Sequence, residues 1–382
     1  MTTLSIRNSI SLSPLPLGSF LIALTLACFA LSPTVRALTE GDLDNNNTAE
    51  GSGALGSLTT GTNNTALGAG ALNSTTTTSW NTATGAQALL HNIGRNNTAD
   101  GFQALLSNTT GANNTGIGWR ALFQNTTASD NTATGFQALN SNTTGTENTA
   151  NGISALQSNT IGINNTASGS SALFSNTTGI NNTAAGFQAL FSNTTGVRNT
   201  ANGVNALLLN TTASDNTAAG FQALFSNTTG GSNTANGSFA LSSNTTGGDN
   251  TATGFGALSS NTAGKENTAN GLNALEHNTI GTDNTAEGFQ ALVNNTGNNN
   301  IAIGSNVGSN LTTGSNNIDI GAPGVGGESS KIRIGTVGTH NAAFIAGISG
   351  ATVASGVGVI VNSNGKLGTV VSSRRSRMRS NP

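Results

Sequence analysis

Hydrophobic positions in this chain are few, small and regularly placed. From Asn47 the tripeptide Asn-Thr-Ala, or a close variant, returns at Asn64, Asn81, Asn97, Asn114 and onward to Asn284, with degenerate copies at Asn300 and Asn317. Every step is 17 residues except Asn81 to Asn97 and Asn284 to Asn300, which are 16. The unit reads N-T-A-x-G-x-x-A-L-x-x-N-T-T-G-x-x, and its positions are numbered here 1 to 17 from the first Asn. Helix-pair repeats run from about 33 residues upward, so a unit this short excludes them. Its Gly, Asn and Thr are weak helix formers. The pattern predicts one turn of a parallel β-solenoid per unit, about 17 coils in all, each with one or two short strands joined by tight turns.

Within the strand at positions 1 to 5, side chains alternate between faces. Ala at 3 then points inward, with Thr at 2 and the variable residue at 4 (Glu50, Leu67, Asp100, Asn151, Ala185, Glu287) outward. Ala at 8 and Leu at 9 scarcely vary and are placed inside. The predicted spine is the stacked column Leu89, Leu105, Leu122, Leu139, Leu156, Leu173, Leu190, Leu207, Leu224, Leu241, Leu258, Leu275 and Leu292. The Ala-Leu segment fits a strand or a helical turn equally. Gly at 5 and 15 and Asn at 1 and 12 are the residues expected to supply left-handed turn conformations. Identical coils also stack identical side chains, so Asn ladders along the axis are expected.

A second pattern overlies the first. Position 6 is Phe at 187, 221, 255 and 289, and Val204, Ser238 and Leu272 in the coils between, while Asn202, Asn236 and Asn270 mark the non-Phe coils at position 4. A pair of coils is thus the duplicating unit of this stretch. Phe102 and Phe136 share the spacing, which breaks near Ser170. Packing, in a coil corner or against a neighbouring chain, is the plainer reading of these rings; a spaced aromatic ligand-binding stripe is the other.

Composition supports a thin core. Of 382 residues, 7% are charged and 4% aromatic, with 51 Gly and no Tyr, against about 25% charged in an ordinary domain. The net charge of −2 supplies no basic face for nucleic acid. His91, His277 and His340 are far apart in sequence, the acidic residues are isolated, and no metal, cofactor or catalytic constellation emerges. The many Asn-x-Thr triplets coincide with what the repeat itself demands.

The N-terminal stretch reads as a signal peptide over 1–37, with Arg7 in a positive leader, an apolar run from Leu15 to Leu31, and small or modest residues at Val35-Arg36-Ala37. Cys28, the one cysteine, falls inside it, and Thr25-Leu26-Ala27-Cys28 is a poor lipoprotein box. Export to the cell surface or medium is expected, with no membrane-spanning segment after signal removal.

At the N-T-A-x-G-x-x-A-L unit, over about Asn47 to Ile320, the chain resembles the head repeats of YadA-like trimeric autotransporter adhesins. That resemblance implies a left-handed β-roll packed as a homotrimer and a surface, matrix or glycan ligand. The 17-residue unit is longer than is typical of that family, and nothing here resembles its membrane-anchor barrel. The C-terminal segments Ile332-Arg333-Ile334-Gly335-Thr336, Phe344-Ile345-Ala346-Gly347-Ile348 and Asn364-Gly365-Lys366-Leu367-Gly368, followed by Ser372-Ser373-Arg374-Arg375, resemble the lead-in to the intramolecular chaperone of phage endosialidases and tail fibres. That resemblance implies Ser372 as the autoproteolysis nucleophile, but Arg377 stands where its Lys partner belongs, and Arg stays protonated. Self-cleavage is therefore not expected.

The expected organisation is a signal peptide (1–37), solenoid (38–320), fibre or chaperone lead-in (321–371) and a basic truncated tail (372–382). The expected function is a non-enzymatic exported fibre mediating attachment. The alternatives are a phage-type tail-fibre shaft and an ice-binding solenoid, the latter disfavoured because position 4 is too variable to set a second Thr column beside position 2.

Overall fold

The computed structural model describes residues 45–345 and 358–369. The signal segment with Cys28, and Ser372 with Arg377, lie outside the described residues. The chain is all β. Strands β1 (Thr48–Glu50) to β18 (Ile332–Ile334), three residues each, form one parallel sheet in chain order. Pairing is in register, so that Thr200 faces Thr217 and Ala201 faces Ala218. Among the described residues there is no helix. The sheet continues past the last Asn-initiated coil, since β17 (Ile318–Ile320) pairs with β18 across a 14-residue step, Ile318 to Ile332. Separately, β19 (Val359–Val361) and β20 (Leu367–Thr369) form an antiparallel hairpin.

One coil, Asn182 to Arg198, serves for all. Its strand donates Thr183 N–H to Asn199 O of the next coil (2.8 Å), and just after it Gly186 N–H reaches Ser168 O of the previous one (2.8 Å). A turn follows, closed by Ala189 N–H to Gly186 O at 3.3 Å. Gln188 takes φ 54° at its third residue, where a type II turn needs positive φ. The Ala-Leu segment is neither strand nor helix. Leu190 sits at φ 52° and donates to Ala206 O of the next coil at 3.0 Å, and a second turn closes from Asn193 N–H to Leu190 O at 3.2 Å. Thr194 donates both its N–H (2.8 Å) and its Oγ1 (3.0 Å) to Thr211 O. Most of the coil's backbone polar groups are thereby used within or between coils, which irregular chain needs if it is to be buried.

The left-handed residues are not those anticipated, apart from Gly at position 5. Positive φ falls on positions 7, 9 and 17, as at Gln188, Leu190 and Arg198, and not on the Asn of positions 1 and 12 or the Gly of position 15. Those three have a different task. The Asn side chains point into the interior, and Gly at 15 is there because neighbours crowd it: a Cβ on Gly179 would lie 2.3 Å from Asn176 Oδ1 and 2.6 Å from Gly196 O.

The interior is a column of Ala at 3, Ala at 8 and Leu at 9, fully buried from Ala66 to Leu292, including every Leu from Leu89 onward. Beside it run two columns of fully buried Asn. At position 1, Asn182 Oδ1 accepts from Asn199 N–H (3.0 Å) and Asn199 Nδ2 (3.1 Å), and Asn182 Nδ2 donates to Asn165 Oδ1 (3.2 Å) and Gly196 O (2.8 Å). All four hydrogen-bonding positions of the carboxamide are filled. At position 12, Asn193 Nδ2 donates to Asn176 Oδ1 (2.9 Å) and to the same Gly196 O (3.2 Å).

The two 16-residue coils lose their residue at the same corner, between positions 12 and 15. There Asn92 and Asn295 turn back to accept from Gly94 N–H (3.2 Å) and Gly297 N–H (3.3 Å). Asn295 Nδ2 then reaches Asn284 Oδ1 instead of the coil before it, which leaves Asn278 Oδ1 buried without a partner.

Candidate functional site

The solenoid exposes distinct longitudinal columns, and their side chains decide what each face can do. On the strand face, Thr at position 2 and the residue at 4 alternate outward around buried Ala at 3, as in the exposed–buried–exposed pattern of β4 (Thr98–Asp100). Position 4 carries Glu50, Leu67, Asp100 and Asn151, so this face has a single regular Thr column.

Position 17 is a polar column whose left-handed residues are mostly Asn, Asp and Glu. Stacking at one-coil spacing creates pairs of both kinds. Arg198 and Asp215 form an exposed two-pronged ion pair (2.6 and 2.9 Å), which raises the Arg and lowers the Asp pKa chiefly through that hydrogen bond. Glu266 is pulled above its ordinary pKa, first by its hydrogen bond to Asp283 and then by the neighbouring charge.

Positions 6, 7 and 10 converge on one face. Arg120 at position 7 lies 4.8 Å over the Trp119 ring and 4.5 Å over the Phe123 ring of its own coil, while its Nε donates to Gln103 Oε1 one coil back (2.8 Å). Trp119 stacks on Phe136 (4.8 Å between centroids, 8° between planes), and Phe174 on Phe191 (5.1 Å, 9°). The alternate-coil phenylalanines stand out on the surface: Phe187 is 48% and Phe255 53% exposed. Where position 6 lapses to Ser238, Phe239 at position 7 fills the gap, edge-to-face with Phe221 (5.3 Å) and Phe255 (5.6 Å). The sequence reading missed Phe239, although its one-residue displacement from the Phe column was visible. The result is an apolar stripe from Phe102 to Phe289, interrupted only by Ser170 and Ser238 at position 6. At about 4.8 Å per coil it is roughly 50 Å long.

At the C-terminal end the inward Ala of position 3 is replaced by Asp319. Asp319 is fully buried, and neither carboxylate oxygen has a hydrogen-bond partner. Its register neighbour Arg333 is bonded instead to Glu328. Burial first, and then the Glu328 charge, push the Asp319 carboxyl up to about 6, with Arg333 opposing. The Arg333 hydrogen bond holds Glu328 below its usual range.

Among the described residues, no group of three or more His, Cys, Asp or Glu side chains could hold a metal ion, and no helix is long and apolar enough to cross a membrane. No protein-family model, curated protein or solved structure matches the chain. Fold and surface define a class: a parallel β-solenoid repeat protein, suited to structural or binding work.

Proposed function

We propose that this chain is an exported, non-catalytic fibre that attaches a cell surface to another cell or to matrix, and that it works as a homotrimer of solenoids. The observation that carries the reading is the apolar stripe. Contiguous exposed apolar surface of this length is unusual on a monomer and marks an interaction face. Side chains recurring at one-coil spacing suit a partner with the same spacing, which a second copy of the chain supplies. The resemblance of the unit to YadA-like adhesin heads supports the trimer, and the signal-like leader supports export. The interior is filled by Ala, Leu and Asn from end to end, which suits a rod that spaces and presents surface.

The test is sedimentation equilibrium of the mature chain, beside a variant with Phe187, Phe221 and Phe255 changed to Ser. The wild type is expected as a trimer and the variant as a folded monomer with an unchanged β-type circular dichroism spectrum. A wild type that stays monomeric at micromolar concentration contradicts the proposal, as does a variant that remains trimeric.

A further inference from the structure

The first shortened coil does more than slip the register. Beside it lies an open notch of about 400 Å³, lined by Thr77, Thr78, Trp80, Ile93, Arg95 and Thr110 among others. The lining departs from the repeat in a consistent direction. Trp80 occupies a column that is otherwise mostly Asn, Asp and Glu, and the residue is 58% exposed. Thr78 stands where the unit has Gly, and its Oγ1 is buried with no hydrogen-bond partner. Arg95 is exposed, and neither ion pair among the described residues involves it.

The second shortened coil provides an internal comparison. There position 16 keeps the contact it makes in full-length coils: Asn298 Oδ1 accepts from Thr282 N–H (2.8 Å), and Asn298 N–H donates to Ser315 Oγ (3.0 Å), as Ala112 N–H does to Ser129 Oγ (3.0 Å). The first shortened coil carries Arg95 at that position instead.

We infer that this notch is a binding site for an acidic saccharide, a pyranoside carrying a carboxylate. The chemistry matches group by group. The C–H face of a pyranose covers an exposed indole, as apolar surface covers any large aromatic plane. Ring hydroxyls find the exposed Thr77 and Thr110 hydroxyls. The carboxylate takes the two-pronged hydrogen bond that a free guanidinium offers and an ammonium does not. A neutral sugar would leave Arg95 unused, and a simple anion would leave Trp80 uncovered. The site belongs to a single chain, so it goes beyond the proposed assembly and does not depend on it.

The experiment follows tryptophan emission. The sequence holds two Trp, and Trp119→Phe leaves Trp80 as the reporter in the otherwise intact mature chain. Methyl β-glucuronide is titrated against methyl β-glucoside and acetate. A saturable change is expected with the glucuronide at millimolar concentration, about tenfold weaker with either control. Arg95→Gln should bring the glucuronide down to the glucoside, and Trp80→Ala should abolish binding of both by calorimetry with the circular dichroism spectrum unchanged. No saturation by about 50 mM, a range that spans weak single-sugar affinities, overturns the inference. So does equal binding of glucuronide with glucoside or acetate, or an Arg95→Gln variant that keeps the preference. A monomer that binds would sink the trimer alone, and a trimer that does not would sink this site alone.

Discussion

Asparagine does the most unusual work at the scale of the residue. A buried carboxamide is tolerable only when its hydrogen bonds are made, and the position-1 ladder makes all four by repetition. Asn165→Ala would strip acceptors from Asn182 N–H (3.0 Å) and Asn182 Nδ2 (3.2 Å) and a donor from Gly179 O (2.8 Å). Leaving buried groups unpaired costs about 1–3 kcal/mol each, so we expect a loss of roughly 3 kcal/mol or more in denaturant unfolding. Leu173→Ala, which opens a cavity instead, is expected to cost about 2–5 kcal/mol. Asp319 carries the opposite lesson. Its carboxyl is raised from 3.8 to about 6, so the folded chain holds a proton there that the unfolded chain releases. Stability of the terminal coil then falls as pH rises from 3.8 to about 6, by at most about 3 kcal/mol. Glu328, held below 4.5 by Arg333, acts the other way, and its contribution is lost as pH falls below that value. Hydrogen exchange of the amides in Ile318–Ile320, corrected for intrinsic rates, should show more protection at pH 5 than at pH 8. Asp319→Ala, which restores the repeat residue, should remove the difference; a pH effect that survives it would contradict the assignment.

At the scale of the element, strand and turn were unequally legible. The three-residue strand could be read because its Ala is nearly constant (Gly116 and Asp319 are the exceptions up to β17) while position 4 drifts from Glu50 to Leu67 to Asn151, the signature of one buried and one exposed face. The conformations of the turns could not. Gly and Asn are the residues that ordinarily mark left-handed backbone, yet here Leu190 and Gln188 adopt it while Asn182 and Asn193 do not. Hydrogen bonds between coils fix the local conformation against its propensity, and a one-residue strain near 1–2 kcal/mol is offset by burying Leu in a dry column. Phe239 was hidden for a related reason: it belongs to the stripe only once turn geometry brings positions 6 and 7 onto one face. Where the glycine does need positive φ the tolerance is narrow. Gly186 has φ 136°, and a Cβ there would lie 2.5 Å from Gly203 O. Gly186→Ala combines strain with a backbone clash, so its midpoint in thermal unfolding should fall by several degrees, whereas Gly231→Ala, whose added Cβ would meet Ser214 O only at 3.2 Å, should be much milder.

For the whole molecule, the consequence of stacking is near-additivity: each coil contacts only its neighbours, so stability is a sum of coils and interfaces. Solenoid class, coil number and period followed from spacing alone, because a repeat states its architecture many times over. The notch at the first shortened coil was not legible, since a 16-residue step marks a slip but not whether neighbouring side chains close it. Additivity also gives the central test. Seventeen steps of about 4.8 Å between β1 and β18 make a rod of roughly 80 Å. Removal of Asn199 to Ser232, two whole coils, leaves every ladder in register, and small-angle scattering should show a folded rod about 10 Å shorter with an unchanged cross-sectional radius. Removal of Asn199 to Leu224, which breaks the period, should unfold or aggregate the chain. The account is contradicted if the two-coil deletion fails to fold, if it shrinks the cross-section together with the length, or if both deletions are tolerated alike.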